Sequence, residues 1–138
     1  MSALAVQITQ VSSSWLAAEE RWEVLLELRF TNSGPAVFEL DKATACAGGR
    51  LENSVLQVMG PEGEVSYRGM MKKRAHPGPE GFHRVAPGAS VEVCLDVGQG
   101  YSFPAGGGVF TLRFDHFNHF SKDAQQLVSE PLTLNLTR

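Results

Sequence analysis

Asp115, His116 and His119 place three metal-binding side chains within five positions. Zinc takes imidazole nitrogen and carboxylate oxygen, usually from a helix or together with cysteine. Here the group instead follows an alternating apolar run and is interleaved with Phe114, Phe117 and Phe120. The competing reading is a loop whose phenylalanines dock on the core while its histidines face water. That reading is adopted, so no metal ligand and no cofactor is assigned.

A thiol nucleophile needs a neighbouring base and a depressed pKa. Cys94 lies between Glu92 and Asp96 in alternation, on the polar side of its run, where acids disfavour a thiolate. No pattern brings Cys46 or Cys94 to a histidine. The two cysteines form no CxxC motif, and one disulfide or two free thiols both remain open. Gly106, Gly107 and Gly108 precede an apolar alternation, whereas a phosphate cradle needs a helix N-terminus. The expectation is a protein with no catalytic residues. Lys72, Lys73 and Arg74 form the one basic cluster, fit to meet an acidic protein surface or phosphate, or simply to be a solvated loop tip. The formal net charge of −3 argues against nucleic acid as its target.

The elements that must position these residues have a period of two. Trp22, Val24, Leu26, Leu28 and Phe30 alternate with Glu23, Leu25, Glu27 and Arg29, which is a half-buried strand. Asn32-Ser33-Gly34-Pro35 ends it with turn chemistry. A first strand covers Leu4, Val6, Ile8 and Val11, with Ser12 to Ser14 as its exit. Ala36 to Leu40 is a short strand, and Asp41 to Arg50 a loop. Ser54–Val58 and Glu64–Arg68 make a hairpin around Pro61-Glu62-Gly63. Val85-Ala86-Pro87-Gly88 is a turn that launches Val91, Val93, Leu95 and Val97. After the glycine turn come Phe110, Leu112 and Phe114, and Leu132, Leu134 and Leu136 close the chain.

The expected fold is therefore all-β, an immunoglobulin-like antiparallel β-sandwich of seven to eight strands, one domain over residues 1–138. Trp22 reads as core and Trp15 as exposed, and an exposed Trp15 beside Met70 and Met71 would make a partner surface. No apolar run is long enough to span a bilayer. The N-terminal residues lack signal-peptide features, which fits an intracellular protein or a mature secreted one.

Between Tyr67 and Phe82 lies a long basic, proline-bearing segment where a short hairpin would suffice, and connections of that length are usually functional or disordered. Tyr67 and Gly69, Lys73 and Arg74, Pro77, Pro79, Glu80 and Phe82, and then Ala86 to Gly88, follow an order that resembles the N-terminal pro-domain of bacterial deuterolysin-like metallopeptidases. That is the aspzincin group, which includes peptidyl-Lys endopeptidases. The similarity extends more weakly from Val24 to Asp115. The family's catalytic domain carries a His-Glu-x-x-His helix, and this chain has no such motif.

The resemblance implies a fold and a protein partner, a deuterolysin-like metalloprotease that the domain inhibits or helps to fold. The residues expected to meet it are Tyr67, Met70, Met71, Lys73, Arg74 and Phe82, with Pro77 and Pro79 stiffening the segment. The alternative is a structural or accessory sandwich module of the envelope or secreted fraction with no protease partner.

Overall fold

Alternation over residues 21–32 builds the centre of the molecule. In the computed structural model, which describes residues 3–72 and 76–138, this run is strand β2 (Arg21–Asn32). Trp22, Val24, Leu26, Leu28 and Phe30 all point inward and are buried. β2 is the middle strand of a sheet ordered β1-β2-β7, with β1 at Leu4–Leu16 and β7 at Ser90–Asp96. The facing sheet has the order β10-β8-β4-β5. Its members are β4 (Leu56–Gly60), β5 (Gly63–Glu64), β8 (Gly108–Phe117) and β10 (Leu132–Leu136). Phe30 and Phe114 meet edge to face across the core at 5.4 Å. Each large apolar side chain buried between the sheets contributes about 1.5–3 kcal/mol. All described pairings are antiparallel, and the fold is an all-β sandwich. Among the described residues no helix is long and apolar enough to cross a membrane.

Four elements differ from expectation. The expected strand over Glu64–Arg68 shrinks to the two residues of β5, paired with Met59 and Gly60. β1 does not end at the serines. A register shift between Gln10 and Ser12 absorbs one residue, and pairing resumes to Trp15 opposite Trp22. Gln126–Val128 forms β9, which pairs with β8 on Asp115 to Phe117. β9 and β10 run in the same direction against β8, interrupted at Ser129. There Ser129 N–H donates to the Phe114 carbonyl and its Oγ accepts from Phe114 N–H, so the break costs no backbone bond. Finally, Phe82–Val85 is not loop and turn but strand β6, with Val85 buried. It pairs with β3 (Phe38–Asp41), and the turn proper begins after Val85.

The free edge of β3 is closed by side chains rather than by another strand. Asn118 Oδ1 accepts from Asp41 N–H at 2.8 Å, and its Nδ2 donates to the Glu39 and Asp123 carbonyls at 2.9 and 3.0 Å. Ser121 Oγ donates to the Glu39 carbonyl, and Asp123 Oδ2 accepts from Glu39 N–H. These bonds satisfy main-chain groups that an open edge would leave bare. The Glu39 carboxylate is held below the usual carboxylate range, first by the Lys122 N–H and then by Arg84. Asn118 and Ser121 are buried while Phe117 and Phe120 are exposed. The expectation that the phenylalanines of this loop dock on the core thus holds for Phe114 alone. Hydrogen bonding to β3 outweighs the burial of two rings.

Residues 42–50 form a loop coiled in successive turns, as expected except that Asp41 belongs to β3. Cys46 sits inside it, buried, and Cys94 is exposed on β7; both are free thiols. Burial, and then the charge of Glu52, push the Cys46 thiol up to about 12.

Two measurements check this packing. Asn118→Ala is expected to lower unfolding free energy by about 2–3 kcal/mol, because it strands the Asp41 N–H and the Asp123 carbonyl and leaves the Glu39 carbonyl to Ser121 alone. His119→Ala next to it should change stability by less than about 0.5 kcal/mol. Similar small effects in urea titrations of both variants would contradict the role given to Asn118. In the native protein iodoacetamide should modify Cys94 and spare Cys46, which reacts only after unfolding; mass spectrometry showing equal native labelling would refute the burial of Cys46.

Candidate functional site

The segment from Tyr67 to Phe82 is a strap fixed at both ends. At its start, Tyr67 forms an antiparallel bridge with Tyr101, and Arg68 N–H donates to the Gly100 carbonyl at 2.7 Å. The two tyrosine rings pack at 5.3 Å. Tyr101 is buried, and its hydroxyl both donates to the Leu56 carbonyl at 2.8 Å and accepts from Leu56 N–H at 3.0 Å. One phenol thus serves both main-chain groups at the start of β4. Burial raises the pKa of both tyrosines, so both phenols stay protonated hydrogen-bond donors. The Tyr67 hydroxyl donates to the Met70 carbonyl, which curls the strap back on itself.

Glycine at 69 has a steric cause. A Cβ there would lie 2.8 Å from the Tyr67 hydroxyl and 2.9 Å from Gly100 Cα, so the strap backbone rests directly on the 97–101 turn. The Tyr-x-Gly order therefore belongs to the seating of the strap. Further on, Lys72 N–H donates to the Glu52 carbonyl at 2.9 Å, and its ammonium pairs with the Glu52 carboxylate at 3.1 Å. At the far end, Pro79–Gly81 forms a single 3₁₀ turn, and a Cβ on Gly81 would meet Pro77 at 2.4 Å. Phe82 then opens β6 opposite Asp41 and is half-buried.

Of the residues expected to meet a partner, Tyr67 packs on the core of its own sandwich, and Phe82 is held in the β3–β6 pairing. Met70 and Met71 face solvent, 45% and 65% exposed. Lys73 and Arg74 lie outside the described residues. Trp15 is half-buried; it packs edge to face on Trp22 at 5.7 Å and lies under the Arg138 guanidinium at 4.3 Å. Its described ring partners therefore do not include Met70 or Met71.

Beneath the strap is a cavity of about 500 Å³ lined by Lys42, Ala47, Glu52, Pro77, Gly81 and His83 among others. The His83 Nε2 atom is buried and has no hydrogen-bond partner among the described residues. Burial first, and then the Lys42 charge, lower the His83 pKa and favour the neutral imidazole. Lys42, Glu52 and His83 carry no local sequence signal, because only tertiary contacts bring them beside the strap: the β3–β6 ribbon for Lys42 and His83, and the Lys72 tie for Glu52. A third feature is a row of rings: His76 packs on Phe120 at 5.1 Å, Phe120 on His119 at 6.1 Å, and His119 on Phe117 at 5.1 Å.

His116 and His119 lie 5.5 Å apart between ring centres. Asp115 turns instead to Gln126, whose Nε2 donates to its carboxylate at 2.6 Å. Among the described residues no three His, Cys, Asp or Glu side chains converge as a metal site. What the described part of the strap can do chemically is present two flexible thioethers between the Tyr67 and Lys72 ties.

No family model matches the chain, and no curated protein is similar to it. Among solved structures, it is similar to a Northeast Structural Genomics Consortium target determined by X-ray crystallography. The TM-score is 0.48 and the identity 9%, covering 96% of this chain and 85% of that one.

Proposed function

We propose that the chain is a non-catalytic β-sandwich that binds a protein partner through the strap between Tyr67 and Phe82. The observation that carries this reading is the exposure of Met70 and Met71 on a segment pinned at both flanks. Methionine is enriched at protein interfaces, and its unbranched thioether adapts to irregular surfaces. The ties at Tyr67 and Lys72 on either side of the two methionines lower the entropy lost on docking. Tyr67 then acts from beneath through its bond to the Met70 carbonyl, Phe82 anchors the far end in β6, and Lys73 and Arg74 meet acidic groups of the partner. The resemblance of the strap's residue order to a metalloprotease pro-domain points to a deuterolysin-like metalloprotease as that partner. The mode of action is steric, by inhibiting the protease or assisting its folding.

The test is binding and inhibition against a deuterolysin-like protease from the same source. Met70→Ser with Met71→Ser should weaken binding by about tenfold or more, the loss of two interface anchors, while the melting temperature stays put. Lys73→Ala with Arg74→Ala should slow association and flatten its salt dependence. Full binding by all four-site variants combined would remove the strap from the mechanism.

A further inference from the structure

In the cavity of about 500 Å³ beneath the strap, the acids of the wall are answered and two donors are not. Asp41 is fully buried; its Oδ1 accepts from Ala43 N–H at 3.3 Å and its Oδ2 from the Thr44 hydroxyl at 2.9 Å. The Glu52 carboxylate takes the Lys72 ammonium at 3.1 Å. Lys42 is half-buried, and its ammonium has no ion pair or hydrogen bond among the described residues. Arg21, Arg29, Lys72 and Arg84, by contrast, each have a carboxylate. His83 Nε2 is buried and also has no partner among the described residues. A buried polar atom without a partner marks a place for a water, an ion or a ligand. The ribbon brings the two donors together. His83 pairs with Leu40, and Lys42 N–H donates to the Gly81 carbonyl at 3.0 Å, which extends the ladder by one step. Lys42 and His83 are then diagonal neighbours, and such positions stand about 7–8 Å apart. The Lys42 charge reaches the His83 ring and, after burial, helps to keep it neutral.

We propose that this cavity binds a short-chain carboxylate, whose oxygens accept from the Lys42 ammonium and from His83 Nε2–H. The charge of the wall selects a monoanion. One full positive charge, that of Lys42, is left unpaired, and His83 is neutral. A dianion such as phosphate would meet the field of Asp41 and Glu52 with no second cation to offset it. Ala43, Ala47 and Pro77 line the same space and leave room for a small apolar body. The volume falls within the range of small-molecule sites. Binding in this pose assigns the proton of the neutral His83 ring to Nε2. Met70 and Met71 take no part, so the site stands apart from the reading of the strap as a protein contact.

Titration of the isotope-labelled full chain with butyrate, followed by two-dimensional NMR at constant ionic strength, tests it. The expected result is saturable shifts at the amides of Lys42, Ala47, Gly81 and His83. Butyramide, which has the same shape without the charge, should leave them in place. At fixed pH, bound butyrate should also move the His83 ring toward imidazolium, because the carboxylate offsets the Lys42 charge. Lys42→Gln should weaken butyrate by about tenfold or more, and Lys42→Arg should keep it. The comparison of butyrate with butyramide is made on the native chain, so it stands even where a variant fails to fold. Absence of saturable shifts with butyrate overturns the proposal, as does an equal response to butyramide or a folded Lys42→Gln that binds butyrate as the native chain does. Inorganic phosphate saturating the same amides at lower concentration would assign the cavity to phosphate, and overturn the proposal equally.

Discussion

The side-chain amide of Asn118 holds together the parts of this molecule that strand pairing does not reach. β3 has a β-partner on one side only, β6. On the other side Asn118, helped by Ser121 and Asp123, answers the main-chain groups of Glu39 and Asp41. A two-stranded ribbon alone in water is marginal at best. With its outer edge closed, β3 becomes a platform on which β6 can be held in register. The requirement propagates outward. The loop that delivers Asn118 inward must turn Phe117 and Phe120 outward, and Phe120 takes a left-handed backbone conformation to do so. His76 of the strap then packs on the Phe120 ring. A buried polar group thus determines where exposed apolar groups appear.

Tyr101 does the corresponding work at the other end of the strap. Its hydroxyl closes the Leu56 backbone and its ring supports Tyr67. The strap is therefore suspended between a phenol hub on the β4 side and the Asn118-supported β3–β6 ribbon. Lys72 and Glu52 add an intermediate tie. This is why Met70 and Met71, which sit between the anchors, face water at no cost to the core.

What was legible in the residues follows from the physics of each element. β2, β7 and β8 are long enough for period-two burial to repeat, and their alternation placed Trp22 to Phe30 and Phe110 to Phe114 on the core correctly. The turns at Asn32–Pro35 and Pro87–Gly88 were legible because glycine, proline and asparagine chemistry is local. Asn32 shows how local: its Oδ1 accepts from Gly34 N–H, while its Nδ2 donates to the Ala36 and Val85 carbonyls. β6 and β9, with four and three residues, are too short to show a period. Each exists because its partner strand supplies the register. The inversion around Asn118 was hidden for the same reason, since hydropathy ranks Phe above Asn and ignores an open edge elsewhere in the chain. In the strap, the family-like order was visible but its cause was not. Tyr67, Gly69 and Gly81 turn out to answer contacts with Tyr101, Gly100 and Pro77, all of which are tertiary or close steric facts.

The same alternation that makes a core also writes two outer faces, and those faces are not bound by core packing. Position for position, outward residues of β2 and β8 are equally exposed to choice, because neither contributes to the buried layer. β2 fills them with Glu23, Leu25, Glu27 and Arg29, and β8 with Val109, Thr111, Arg113, Asp115 and Phe117. Both faces therefore mix charged, polar and apolar side chains, and apolar side chains scattered over a surface are ordinary. Exposure alone does not set Met70 and Met71 apart. Their support does: they project from a stretch tied through Tyr67 to Tyr101 and through Lys72 to Glu52, with no part in the buried layer. A tied backbone carrying adaptable thioethers fixes where a contact forms while leaving its shape open.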